Sequence, residues 1–126
     1  MTQSTNSLYR RIGGYDVIAA VIDDLFAALR ADPAFARFAS GRSLDSHNRA
    51  RQLLVDQMCE LSDGPCHYIG RDMRTSHRGL AITDAEWDAN MKFADAALVK
   101  NTVSPAERAE FLALFERYRD DIVERD

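Results

Sequence analysis

Several protein classes are excluded by what this chain lacks. It has no basic run, and its net charge is −4, so neither nucleic acid nor an anionic membrane is an expected partner. No apolar stretch approaches the roughly 20 residues that span a bilayer. Met1 to Ser7 is polar and lacks the cationic and apolar regions of a signal peptide. A cytoplasmic location is therefore the expectation. The two cysteines, Cys59 and Cys66, match no zinc or thioredoxin spacing. In a cytoplasmic chain both are expected as thiols serving as packing residues, with a redox-sensitive pair as the other reading. Only three histidines occur, His47, His67 and His77, and they form no cluster with zinc spacing. Glycine-rich phosphate loops and serine or cysteine nucleophile motifs are missing as well. The carboxylates fall mostly on polar helix faces, as solvated charge. Strand signals are nearly absent, and there is no internal repeat, low-complexity segment or linker.

What remains reads as one all-α domain over residues 1–126, with residues 1–6 expected to be disordered or to precede the first helix. A chain of 126 residues can bury a core without disulfides or structural metals. Val17, Ile18, Val21, Ile22, Leu25, Phe26 and Leu29 recur at helical spacing, between Gly13-Gly14 and Asp32-Pro33. A short piece carrying Phe35 and Phe38 follows. Gly41 to Ser46 reads as a turn, with Asp45 or Ser46 capping a second long helix over about 47–61. Its inward stripe is His47, Ala50, Leu54, Met58 and Leu61. Ser62 to Pro65 breaks it, and a short helix is predicted over 72–78, ended by Gly79. Thr83 and Glu86 form a capping box opening a third long helix, with the stripe Trp87, Met91, Ala94 and Leu98. Ser104-Pro105 opens the fourth, with the stripe Phe111, Phe115, Tyr118 and Ile122. Four substantial helices around one core leave no large apolar stripe exposed, so a monomer is expected.

Among the histidines, His77 stands apart. It shares one helical face with Met73 and Leu80 in a short segment between Gly70 and Gly79. A neutral imidazole on an apolar face is either a satisfied core residue or a ligand for a metal or haem iron. His67, in a loop beside Tyr68, reads as surface.

Four blocks, in order, carry a resemblance to a known family. They are Ser7-Leu8-Tyr9-Arg10-Arg11-Ile12-Gly13-Gly14, then Ala31-Asp32-Pro33 with Phe38, then Gly64-Pro65 through Gly70-Arg71-Asp72-Met73 to His77, and finally Gly79 to Thr83 with Trp87. The chain resembles the group I truncated haemoglobins. The resemblance implies a 2-on-2 helical sandwich around haem b, with His77 as the proximal iron ligand. Met73, Ile82 and Trp87 match positions that pack on the macrocycle. Phe38 would lie on the opposite side, and Leu112 and Phe115 would approach from the last helix. Arg74 matches a basic position near the propionates. The partners implied are diatomic gases (O2, NO, CO), and a reductase is conceivable.

The chain departs from the family on the distal side. The position of the family's oxygen-binding tyrosine is Phe26, which has no donor. Counting back from Gly64-Pro65 puts Ala50 and Leu54 at the next two polar positions of the family, with Met58 further along as another haem-binding residue, and gives a mostly apolar pocket. Counting forward from Ser40-Gly41 puts His47 and Arg51 there instead. The backward count is preferred, because it runs without a gap through the best-matched block. His47 then lies one turn from Ala50, either as a capping or solvent-facing residue or as a sixth iron ligand. Reversible gas binding is the leading function, with nitric oxide dioxygenase-type activity as a possible enzymatic form. The alternatives are a haem-based sensor or redox protein with bis-histidine iron, and a haem-free helical module.

Overall fold

The computed structural model describes residues 7–35 and 43–124, and all regular structure among them is helical. Phe38 and residues 1–6 lie outside the described residues.

The first block of the sequence forms a short helix, α1 (Leu8–Ile12), capped by the Ser7 hydroxyl, which accepts from Arg10 N at 3.2 Å. Gly13 ends it with φ +119°, a left-handed conformation that needs glycine. The Tyr9 hydroxyl accepts from Tyr15 N at 3.1 Å and so serves the start of α2 (Tyr15–Ala31). In α2, Ile18, Val21, Ile22 and Leu25 are at most 1% exposed, a stripe at helical spacing. Burying each such side chain stabilises the fold by about 1.5–3 kcal/mol. The helix ends at Asp32, extended at φ −93° and ψ 120°, as a residue before proline prefers. Pro33–Phe35 is a single 3-10 turn.

Helix α3 spans Leu44–Leu61. Its cap is Ser43, whose hydroxyl accepts from Ser46 N at 3.1 Å, rather than Asp45 or Ser46. Asp45 instead lies in the first turn, where a carboxylate favours the helix dipole. The buried stripe also differs from expectation. Val55, Met58 and Cys59 are nearly inaccessible, whereas His47, Ala50, Leu54 and Leu61 are half-buried. The most deeply buried positions of α3 are thus Val55, Met58 and Cys59, of which the stripe read from the sequence included only Met58.

Helix α4 (Met73–His77) is capped by Asp72. Helix α5 (Asp84–Lys100) opens with the predicted capping box of Thr83 and Glu86. Helix α6 (Pro105–Glu116) starts with proline in its first turn, but the Ser104 hydroxyl donates to the Glu107 carboxylate and makes no backbone cap. The last helix does not run on through Tyr118. The chain turns there, and a separate α7 (Arg119–Ile122) follows.

Helix α2 packs on both α3 and α5, and α5 packs on α6, so two helix pairs face one another. Helix α1 touches α2 and α6, while α7 covers α4. The core runs between the pairs and includes Leu98, Phe111 and Trp87. No helix among the described residues is long and apolar enough to cross a membrane.

Cys59 and Cys66 form a disulfide, with Cα atoms 5.7 Å apart, which corrects their expectation as thiols. The Ser62–Pro65 turn brings the chain back along the last turn of α3 and apposes the two side chains. Asp63 makes the turn with φ +76°, a conformation that aspartate tolerates better than most residues. At Gly64 a Cβ would lie 2.4 Å from Tyr9 Cδ1 and 2.7 Å from Cys59 Sγ, so the close approach requires glycine.

Candidate functional site

The short helix α4 determines the state of His77. Its Nδ1 lies 3.0 Å from the Met73 carbonyl oxygen, one turn back. A carbonyl only accepts, so Nδ1 carries the proton and donates. The Ser76 hydroxyl lies 2.9 Å from the same nitrogen and itself donates to the Met73 carbonyl at 3.3 Å, leaving its oxygen as a second acceptor. The neutral ring therefore keeps its lone pair on Nε2. Burial pushes the imidazole below its ordinary pKa, against the Met73 hydrogen bond, which raises it. The ring is held neutral, with one fixed tautomer and an Nε2 able to bind a metal.

Around α4, the C-terminal segment closes one side. Arg74 Nη2 pairs with Asp121 at 2.9 Å. Glu124 N donates to the Ile82 carbonyl at 2.9 Å, and Ala81 N donates to the Glu124 carboxylate at 2.9 Å. Met73 is buried against the core.

The other residues singled out in the sequence fall into two groups. Met58, Trp87 and Phe115 are enclosed in the core at 1%, 4% and 7% exposure, which leaves them little free surface. The Trp87 indole N–H donates to the Glu116 carboxylate at 3.2 Å. Arg119, and next to it Trp87, hold that carboxylate below its usual range. Phe115 meets Phe111 edge to face at 5.5 Å. By contrast, Phe26, Leu54, Leu61 and Ile82 pack on the core yet stay half-buried. Leu112 is half-buried too, and lines a shallow groove of about 340 Å³ between α5 and α6 with Met91, Lys92 and Arg108. His67 is exposed, and Ala50 is half-buried.

On the α2–α3 side, the Phe26 and His47 rings lie 5.6 Å apart, tilted by 49°. Arg30 Nη1 lies 2.5 Å from His47 Nε2. Arg51 turns away to Asp23, at 2.8 and 3.0 Å, and its guanidinium lowers the Asp23 pKa. Sequence reasoning assigned no role to Arg30. The available signal was its position four residues after Phe26, on the same helical face.

These residues fit haem. Among the described residues no three His, Cys, Asp or Glu side chains form a metal-binding group, so a bare ion has no protein cage there. A haem iron needs only one imidazole, because the macrocycle supplies the other ligands. The incompletely covered apolar side chains suit a large apolar disc. A two-on-two helical domain presenting a half-buried imidazole in this tautomer has the make-up of a small helical haem protein.

Comparison with known proteins agrees. The bacterial-like globin family matches residues 7–124. A group 1 truncated haemoglobin of Tetrahymena pyriformis is 26% identical over 117 residues, covering 93% of this chain and 94% of its own length. One from Nostoc sp. is 30% identical over 99 residues, covering 79% and 81%. Among solved structures, the truncated haemoglobin of T. pyriformis in its Fe(III) form has a TM-score of 0.85 at 23% identity, covering 95% of this chain and all 100% of that one. The 2/2 haemoglobin of Synechococcus sp. with covalently attached haem reaches 0.83 at 23% identity, covering 94% and 99%. The chain belongs to the bacterial-like globin family, among the group I truncated haemoglobins. Its cofactor is haem.

Proposed function

We propose that the chain holds haem through His77 Nε2 and reversibly binds a diatomic gas on the opposite side, in a mostly apolar pocket. The observation that carries this reading is the tautomer of His77. Nδ1–H is spent on the Met73 carbonyl, and the lone pair of a half-buried, neutral ring is left on Nε2. When bound, haem would supply an iron able to take up a small gas. The residues around it then decide affinity. Phe26, Ala50 and Leu54 are half-buried and have no side-chain donor, so they exclude water without offering a hydrogen bond. The departure of Arg51 toward Asp23 favours the register that places Ala50 and Leu54 on the distal side. Arg74 is 63% exposed in its pair with Asp121, a weak surface pair from which the guanidinium can turn to a propionate.

The absorption spectrum of purified protein tests the proposal. A Soret band that His77→Ala abolishes is expected. A band of equal intensity and position in His77→Ala would rule His77 out as the ligand. The contact of His47 with Phe26 supports a second reading, a sensor or redox protein whose iron takes both histidines. That reading requires His47 Nε2, which Arg30 occupies.

A further inference from the structure

His47 lies in the first turn of α3 and meets two residues of α2 that are four apart, Phe26 and Arg30. Residues at this spacing share one helical face, so one face of α2 presents both a ring and a guanidinium to the imidazole. Arginine has donors only. At 2.5 Å from Arg30 Nη1, Nε2 must therefore accept, and a neutral His47 ring carries its proton on Nδ1. The lone pair on Nε2, which an iron would require, is committed to the guanidinium. The neighbouring cation, Arg51, is engaged elsewhere: its Nε and Nη2 donate to Asp23 and its Nη1 to the Gln52 side-chain oxygen.

We propose that Arg30 is a positioning residue that withholds His47 from the iron, keeping the sixth coordination position open to a gas. The inference rests on the reading of the chain as a gas-binding haem protein anchored at His77. The lock involves no covalent step. When the Arg30–Nε2 hydrogen bond breaks, the imidazole becomes free to ligate, and the protein passes from an open to a bis-histidine form. Arg30 thus chooses between the two functional readings, from α2 and through its contact with His47.

Two measurements test this. In the haem-loaded protein, absorption and electron paramagnetic resonance spectra are compared for wild type, Arg30→Leu, Arg30→Lys and the double variant Arg30→Leu/His47→Ala. Loss of one charge-assisted hydrogen bond is expected to raise the six-coordinate low-spin fraction about tenfold or more in Arg30→Leu. The double variant should abolish that gain, and Arg30→Lys, which keeps a cationic donor, should largely suppress it. In the haem-free protein, 15N NMR should show His47 protonated on Nδ1 in wild type and a changed tautomer balance in Arg30→Leu. The lock is overturned if Arg30→Leu leaves the spin state as in wild type, if its low-spin signal survives loss of His47, or if wild type is already low-spin through His47. An unchanged tautomer balance overturns it as well. A wild-type protein that takes up no haem, seen as a missing Soret band, overturns the functional reading and the lock together, which separates that failure from the others.

Discussion

The disulfide offers the sharpest quantitative test of the fold. Cys59 is completely buried in the last turn of α3, and Cys66 is half-buried in the loop leading to α4. Replacing Cys66 with alanine removes the bridge and leaves Cys59 as a small buried thiol, so no polar group is stranded. The bridge closes a loop of sequence separation 7. In the chain-entropy account, a loop of that size restricts the unfolded chain by about 2–2.5 kcal/mol at 25 °C. The native loop keeps other ties, because Gly64 N donates to the Cys59 carbonyl at 2.8 Å and Tyr68 N to the Glu60 carboxylate at 2.8 Å. The loss should therefore act mainly on the unfolded state. A chain of 126 residues unfolds with an entropy of about 0.26 kcal/mol/K, so the variant should melt about 8–10 °C lower. Thermal circular dichroism on the haem-free protein measures this, and a dithiol should lower the wild-type midpoint by the same amount while leaving Cys66→Ala unmoved. A midpoint within about 2 °C of wild type would refute the entropic reasoning. Alkylation of two thiols in the denatured, unreduced protein would refute the bridge itself.

Three further outcomes follow from the packing. Gly64→Ala should destabilise by about 1–3 kcal/mol. The Tyr9 ring it strikes is pinned at both ends, by Tyr9 N donating to the Ser62 carbonyl and by its hydroxyl accepting from Tyr15 N, and the denaturant midpoint reports the cost. Phe111→Ala removes a fully buried ring of α6 from the core and should cost about 3–5 kcal/mol; a loss below about 1 kcal/mol in chemical denaturation would contradict its place in the core. On the proposed gas-binding reading, Phe26→Tyr should slow oxygen release about tenfold or more by adding a donor beside the bound gas. Flash photolysis measures that rate, and an unchanged value would show that Phe26 does not face the gas.

Local signals in the sequence determined most of the helices. Gly13 and Asp32-Pro33 bound α2, the Thr83–Glu86 capping box opens α5, and Pro105 opens α6. Each of these acts within one turn of backbone, so its effect is independent of the rest of the fold. The block from Gly70 to His77 likewise marks the short helix α4, and the i, i−4 spacing of Met73 and His77 already implies the carbonyl that sets the tautomer. Periodicity misled where the chain bends. Tyr118 and Ile122 continue the spacing of Phe111 and Phe115, yet a turn at Tyr118 starts α7, which packs on α4 instead. In α3 the buried positions are Val55 and Cys59 rather than Ala50 and Leu54, because the buried face depends on how α2 and the returning loop pack on the helix, which a single helix does not reveal. Only the tertiary structure could pair Cys59 with Cys66, Arg74 with Asp121, and Arg30 with His47. The reason is common to all three: a disulfide or a hydrogen bond depends on separations of a few ångströms between segments whose relative placement is set by packing of the whole core. The sequence by itself thus determined the helices and the candidate iron ligand, and the tertiary structure decided which side chains stand around it and in what state.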